Sequence, residues 1–284
     1  VIQSSETAVV LFGAQKIGIL TGRDAASFQL DELTEEAGAE PWTAQRIGKT
    51  VYLDARGLRD LTATQSYGNF KAGLLSEIIE PYFRAKRMAG VRPVMSWVSR
   101  TKSQYRLLWD DGSGLCVYMG RKVPEAIPFD TGDTSFTCVA TGEMSDGEGI
   151  FAGAEDGYVY RLDSGPSFDG TGVRAFVMTP FNHLGSVMME KNLRKTTIDL
   201  KAEPLTRIGV TVIFDSADGE QPRSGLQEFD VRGAGGFWNV MVWNSFFWSS
   251  AYMGKVEAYT EGQGANMAAV IICESHPAES SNTL

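Results

Sequence analysis

A repeated hairpin pattern constrains the fold of this chain more than any other feature. Short apolar stretches alternate with polar turns that contain Gly, and the repeats cover residues 8–20, 51–61, 105–118 and 150–162. In one copy, the mostly apolar stretches 105–109 and 115–118 flank a turn at 110–114. Two such runs joined by a turn rich in Gly and Asp are typical of a β-hairpin. The pattern therefore predicts an all-β fold.

The spacing of the hairpins fits the blades of a β-propeller, in which repeats run to about 40–50 residues. Residues 93–98 and 135–140 are further strand candidates, and each precedes one of the hairpins as an earlier strand of a blade would. The repeat is degenerate and carries no WD or kelch signature. A β-propeller-like region over residues 1–171 and an irregular sandwich both agree with this pattern.

One segment, at about residues 69–88, interrupts the β pattern. Its apolar residues recur at a spacing of three to four, which predicts one or two short amphipathic helices. Pro81 is expected to limit or kink the run. The apolar stripe consists of Leu74, Leu75, Ile78, Ile79, Tyr82 and Phe83.

After residue 171 the pattern changes to longer strand candidates separated by loops that contain Gly, Asp and Pro. These candidates are residues 173–178, 196–202, 208–214, 254–259 and 268–273. They predict a second antiparallel β domain over residues 172–284, of the β-sandwich type.

The charge of the chain limits its partners. A formal net charge of −9 argues against a protein that grips nucleic acid, because phosphate contacts need clustered Lys and Arg. An acidic surface could still surround DNA without adhering to it. The longest apolar run, residues 267–273, is far shorter than the ~20 residues that span a bilayer, so no membrane span is expected.

The cysteine pattern predicts reduced, buried thiols. Cys116, Cys138 and Cys273 are widely spaced, form no CxxC pair, and have only His183 and His276 as further metal ligands. Such a pattern suits assembly in a reducing cytoplasm. We expect neither a metal nor a cofactor.

No catalytic motif points to an enzyme, since the chain lacks a phosphate loop, a nucleophile elbow and a plausible triad. Paired carboxylates in predicted turns are the one catalytic option, because glycosidases use such pairs. Asp is also common in turns for its local hydrogen bonds, and this explanation is preferred. The carboxylate groups are Asp110/Asp111, Asp130/Asp133, Glu155/Asp156 and Asp215/Asp218/Glu220.

An aromatic segment at residues 237–248 holds three of the six Trp residues. These side chains could fill the core of the second domain, form a subunit interface, for which Trp and Phe are favoured anchors, or make a platform for stacking sugars. The candidate interface residues are Phe237, Trp238, Trp243, Phe246, Phe247 and Trp248.

Several stretches together resemble a family of phage proteins. They are residues 11–22 with their strand–turn–strand and Thr-Gly ending, residues 42–61 with Gly-Lys-Thr-Val-Tyr-Leu-Asp, and residues 151–170 with Phe-Ala-Gly-Ala-Glu-Asp-Gly-Tyr-Val-Tyr-Arg-Leu. The chain is similar to the tail nozzle, tail tubular or packaged-DNA stabilisation proteins of short-tailed phages. Family members are longer, and the absent initial Met agrees with a piece of a longer chain.

The resemblance implies a non-enzymatic structural protein of the virion tail that contains a β-propeller. It would form part of a homo-oligomeric ring, a hexamer in the family, around the DNA channel that joins head to tail. The ring would contact adaptor and tail proteins, and help to retain and pass the genome without sequence-specific binding. No functional residue carries over from the family. The alternative function is a propeller protein that binds or hydrolyses glycans.

Overall fold

The computed structural model contains two compact units, Val1–Ser164 and Gly165–Leu284, called unit 1 and unit 2. The sequence placed this division after residue 171. The residues that the structure describes are 2–4, 8–24, 26–35, 37–62, 75, 77–121, 123–132, 134–145, 147–164, 167–168, 170–201, 206–215, 224–231 and 253–275.

Within its described residues, unit 1 contains four antiparallel sheets that follow one another along the chain, each with its strands in sequence order. The first sheet contains β1 (Ile2–Ser4), β2 (Ala8–Phe12), β3 (Ile17–Thr21) and β4 (Gln29–Thr34). The second contains β5 (Gln45–Ile47), β6 (Lys49–Asp54) and β7 (Gly57–Asp60). The third contains β8 (Pro93–Ser99), β9 (Gln104–Trp109), β10 (Ser113–Tyr118) and β11 (Glu125–Asp130). The fourth contains β12 (Phe136–Met144), β13 (Gly147–Ala154) and β14 (Val159–Leu162).

The four predicted hairpins are confirmed, since β2/β3, β6/β7, β9/β10 and β13/β14 each pair antiparallel. The predicted strands at 93–98 and 135–140 correspond to β8 and β12, which pair with the following strand. Turn chemistry explains two of the hairpins. Gly112 and Gly157 have φ of 78° and 88°, a backbone region that Gly enters without a steric penalty.

The sheets of unit 1 pack on their neighbours through side chains that alternate along each strand. In β6, Val51 and Leu53 join the apolar core shared with the third sheet, whereas Tyr52 packs with the first sheet. In β9, Leu107 lies in the core with the second sheet and Leu108 in the core with the fourth. The inner sheets therefore bury both faces, which explains their uninterrupted apolar runs.

The predicted helix is confirmed at its C-terminal end. A 3₁₀ turn at Glu77–Ile79 leads into α1 (Glu80–Met88), and Phe83 is buried in the core of the second and third sheets. Pro81 lies in the first turn of α1, where its missing N–H costs no helical hydrogen bond. Of the two expected effects, Pro81 therefore limits the helix at its N-terminal end and does not kink it. Residues 69–74 and 76 lie outside the described residues.

Unit 2 is also antiparallel, and its largest sheet has the strand order β17-β24-β20-β21. Its strands are β17 (Arg174–Met178), β20 (Thr206–Phe214), β21 (Gln227–Val231) and β24 (Met267–Ser275). The part of unit 2 that the structure describes also contains three strand pairs: β15 (Ser167–Phe168) with β16 (Thr171–Gly172), β18 (Lys191–Leu193) with β23 (Gly262–Gly264), and β19 (Thr196–Lys201) with β22 (Met253–Ala258).

One apolar cluster of unit 2 lies between the large sheet and the pair β19/β22. Ile208 and Val210 on β20 are buried against Ala258 on β22, with Ile198 and Leu200 of β19 beside them. Five predicted strands are present in unit 2 as β17, β19, β20, β22 and β24. They were predicted at residues 173–178, 196–202, 208–214, 254–259 and 268–273. The antiparallel, mostly β class predicted from the sequence is thus confirmed.

Candidate interaction surfaces

The predicted aromatic interface cannot be placed. Its residues lie outside the described part of the chain: Phe237, Trp238, Trp243, Phe246, Phe247 and Trp248. Their role at an interface stays a prediction.

Two of the predicted carboxylate groups cap their own turns. Asp130 accepts the N–H of Gly132 at 2.7 Å, and Asp156 accepts the N–H of Tyr158 at 2.9 Å. These are the local hydrogen bonds that make Asp common in turns. Asp110 and Asp215 instead bind distant backbone, since they accept the N–H of Arg92 at 3.1 Å and the N–H of Ala265 at 2.8 Å. Asp133, Asp218 and Glu220 lie outside the described residues.

The described cysteines and histidine form no cluster. Cys116, Cys138 and Cys273 are free thiols, and burial raises the pKa of Cys116. Cys138 is exposed, so the prediction of a buried thiol is wrong there: it lies on β12, most of which faces outward. No group of three or more His, Cys, Asp or Glu in the described part of the chain is arranged to hold a metal ion. His276 lies outside that part.

A cleft of about 480 Å³ lies beside α1 in unit 1. Phe83 and Trp109 contribute aromatic walls, and Lys86, Arg87 and Arg92 contribute positive charge. Glu40 and Asp54 also line it, so the cleft is not uniformly basic. The third sheet and α1 hold this wall together through the aromatic packing around Trp109.

The ammonium group of Lys86 makes intramolecular contacts in the wall of the cleft. Its ammonium group donates to Asp111 and Ser113, both at 2.5 Å. It also lies 5.7 Å from the ring centroid of Tyr82 and 5.8 Å from that of Trp109, within the range of a cation–π contact. Burial alone raises the pKa of Asp111, but the hydrogen bonds from Lys86 and Ser113 outweigh it and lower that pKa.

Three arginines near the cleft differ from Lys86, because their charged groups make no such ion pair among the described residues. Arg84, Arg87 and Arg92 are exposed, and none of their guanidinium groups has an ion pair among the described residues. Met88 beside them is 79% exposed. We call Arg84, Arg87, Met88 and Arg92 the arginine surface.

Sequence reasoning missed the arginine surface, because it read this helix only for its apolar stripe. The signal was available: Arg84, Arg87 and Met88 follow the three-to-four spacing that places side chains on one helix face.

Strand β4 carries a surface of opposite charge at the edge of the first sheet. Asp31, Glu32 and Glu35 are exposed there, and Lys16 donates to Glu32 at 2.9 Å and to Glu35 at 2.6 Å. The hydrogen bond from Lys16 lowers the pKa of Glu35. Three carboxylates against one ammonium group leave two negative charges. Phe28 and Leu30 are 56% and 62% exposed beside them. We call Phe28, Leu30, Asp31, Glu32 and Glu35 the acidic edge.

A third unusual surface lies in unit 2, on strand β17. All five of its residues are exposed, including Phe176 at 75% and Val177 at 61%. Within the described sheet, β17 pairs on one side only, with β24. Exposed apolar edge strands are sites where another strand can add.

Glu148 links the third and fourth sheets through a compact group of hydrogen bonds. Its carboxylate accepts the N–H of Arg100 at 2.8 Å, the N–H of Thr101 at 3.1 Å and the hydroxyl of Ser99 at 3.1 Å. The hydroxyl of Thr101 donates to it as well. Burial alone raises the pKa of Glu148, but these hydrogen bonds together lower it from 4.5 to about 2.

We predict a pH-dependent loss of stability that comes from Glu148. Because its folded pKa is lower than its unfolded pKa, its contribution is complete above about pH 4.5 and is lost as the pH falls towards 2. After allowing for solvent screening, we expect Glu148→Gln to remove about 1 kcal/mol of this acid dependence. Urea unfolding of both proteins between pH 3 and pH 6 measures the effect. Parallel curves for the two proteins would contradict it.

No protein-family model matches the chain, and no curated protein matches it either. No helix in the described ranges has the length and apolar character needed to cross a lipid bilayer.

Proposed function

We propose that this chain is a structural component of a phage tail, with no catalytic role. In this proposal it forms part of a homo-oligomeric ring around the DNA channel, in the virion tail, and is assembled in the host cytoplasm. The ring joins head to tail through neighbouring adaptor and tail proteins, and helps to retain and pass the genome.

The observation that carries the proposal is the architecture of unit 1. Four meanders follow one another along the chain, and each packs on the next. We propose that these sheets are blade-like elements of a β-propeller, as in the family that the sequence resembles. For unit 2, the packing of its large sheet on β19/β22 supports a sandwich-like domain.

Polar contacts between successive sheets support a role that needs rigidity. The Tyr105 hydroxyl on β9 donates to the carbonyl of Thr43 at 2.8 Å, and the Gln45 amide on β5 donates to the carbonyl of Ser96 at 2.9 Å. Arg106 on β9 donates to Asp163 at 2.7 Å. Side chains that could serve chemistry are thus engaged in joining one sheet to the next.

The charge supports a passive relation to DNA. A net charge of −9 repels phosphates at the surface of a channel, so DNA could pass without adhering to the wall. Asp130, Asp156 and Asp215, which might have served hydrolysis, instead accept hydrogen bonds from backbone N–H groups. This arrangement favours the tail protein over the glycan-acting alternative.

The direct test is reconstitution of the full-length protein with the adaptor ring of its phage. Electron microscopy is expected to show a closed ring below the adaptor, with a central channel wide enough for duplex DNA. A protein that stays monomeric in the presence of the adaptor would contradict the proposal. So would turnover of a host polysaccharide by the purified protein, since that is the activity of the alternative.

A further inference from the structure

Two surfaces of unit 1 are complementary, yet each is exposed in the same chain. The arginine surface presents guanidinium groups without ion pairs, an exposed Met88 and an open cleft with aromatic walls. The acidic edge presents carboxylates together with exposed Phe28 and Leu30. Because both remain open to solvent, neither satisfies the other within one molecule.

We propose that the acidic edge of one copy docks on the arginine surface of the next copy. This inference rests on the proposed ring and names the contact that closes it. The two surfaces differ, so the contact is head-to-tail, and head-to-tail contacts close into rings when the rotation between copies permits.

The chemistry of the two surfaces fits this pairing. Arginine holds carboxylates through two parallel N–H···O bonds, which gives direction as well as attraction. Arg84 and Arg87 are about 4.5 Å apart along the axis of α1, given a rise of ~1.5 Å per residue. Lys16 donates to both Glu32 and Glu35, so these two carboxylates lie close together and can face both guanidinium groups.

The apolar residues of the two surfaces complete the contact. Phe28, Leu30 and Glu32 alternate along the strand and share one side, which places two apolar side chains next to a carboxylate. On the arginine surface, Met88 is 79% exposed and offers an apolar side chain to meet them. Exposed apolar groups of both copies would thus leave water together, which stabilises an interface.

A second copy fits this surface better than nucleic acid does. Glu80 precedes Arg84 by about one turn of α1, Asp110 accepts the backbone N–H of Arg92 at 3.1 Å, and Glu40 and Asp54 line the cleft. Carboxylates at these positions repel phosphates, whereas a protein edge that is itself mixed in charge and polarity tolerates them. The chain as a whole is acidic, which further disfavours a phosphate backbone.

A charge-swap experiment tests the contact in the full-length protein. One variant carries Arg84→Glu and Arg87→Glu, and the other carries Glu32→Arg and Glu35→Arg. A control variant, Arg100→Glu with Arg121→Glu, makes the same charge change at two exposed arginines of unit 1 outside both surfaces. Sedimentation velocity at fixed salt measures self-association, and circular dichroism checks that each variant is folded.

Each reversed variant alone is expected to associate at least ~30-fold more weakly than the wild type, whereas the control associates normally. An equimolar mixture of the two reversed variants is expected to recover association, because opposite charges meet again at both kinds of contact. High salt should weaken the wild-type contact.

The outcomes separate this inference from the proposed function. Rings of normal strength in both reversed variants would overturn the contact while leaving the ring intact. A wild type that remains monomeric with the adaptor would overturn both. Binding of duplex DNA that is lost on reversing Arg84 and Arg87, with ring formation unchanged, would reassign the arginine surface to nucleic acid.

Discussion

Replacing Asp54 by Ala is expected to lower the free energy of unfolding by about 3–5 kcal/mol. Asp54 accepts from Nε of Arg59 at 2.8 Å, and the Arg59 side chain is fully buried. Removing the carboxylate leaves a buried positive charge without this counter-ion. The cost of desolvating that charge then falls on the folded state alone. Chemical denaturation of the full chain, followed by circular dichroism, measures the change.

Two control variants test whether the unpaired buried charge causes this loss of stability. Glu125 pairs with Arg121 at 2.5 Å on the surface, and Glu125→Ala is expected to cost less than about 1 kcal/mol. The double variant Asp54→Leu/Arg59→Met removes both charges and is expected to recover much of the loss. If the double variant were as unstable as Asp54→Ala, the uncompensated charge would not be the cause.

Replacing Trp109 by Ala is expected to lower the free energy of unfolding by about 3–5 kcal/mol through lost packing. Trp109 is 3% exposed, and its ring centroid lies 5.6 Å from that of Tyr82 and 6.1 Å from that of Phe83. It therefore attaches α1 to the third sheet. The substitution removes this attachment and leaves a void that rigid sheets cannot fill.

The matched control is the same substitution at Trp42, which is 70% exposed. Trp42→Ala is expected to change stability by no more than about 0.5 kcal/mol. Hydrogen exchange adds a local measurement, because amides of α1 (Glu80–Met88) should lose protection in the Trp109 variant only. Equal effects at both tryptophans would show that burial is not the deciding quantity.

Local features of the fold were predictable from the sequence. Hairpins depend on neighbouring residues, so the turn at residues 110–114 and the runs on either side were sufficient to place β9 and β10. The position of α1 was predictable for the same reason, from the spacing of Tyr82 and Phe83. Pro81 lies in its first turn, and of the two expected effects of this residue it limits the helix, because Pro is tolerated in the first turn and not in the interior of a helix.

Contacts between distant parts of the chain were not predictable. Glu148 binds the turn at Arg100 and Thr101, separated from it by 48 and 47 residues, and no spacing rule connects these positions. The arginine surface shows a different limit. Its residues were visible in the sequence, but their lack of ion partners depends on how the third sheet and α1 pack together.

The two-sided burial of the inner sheets in unit 1 has a consequence for strand alignment. In a sheet with one solvent-exposed face, a register shift of one residue moves apolar side chains into solvent. The cost of that exposure favours the correct register. On β6, both faces are buried, and Val51, Tyr52 and Leu53 would place apolar side chains in a core in either register. Solvent exposure therefore does not select the register of this strand. Its alignment must come from directional groups such as Asp54 with Arg59. Substituting such groups by hydrocarbon could raise the melting temperature and still allow the strand to settle in more than one frame.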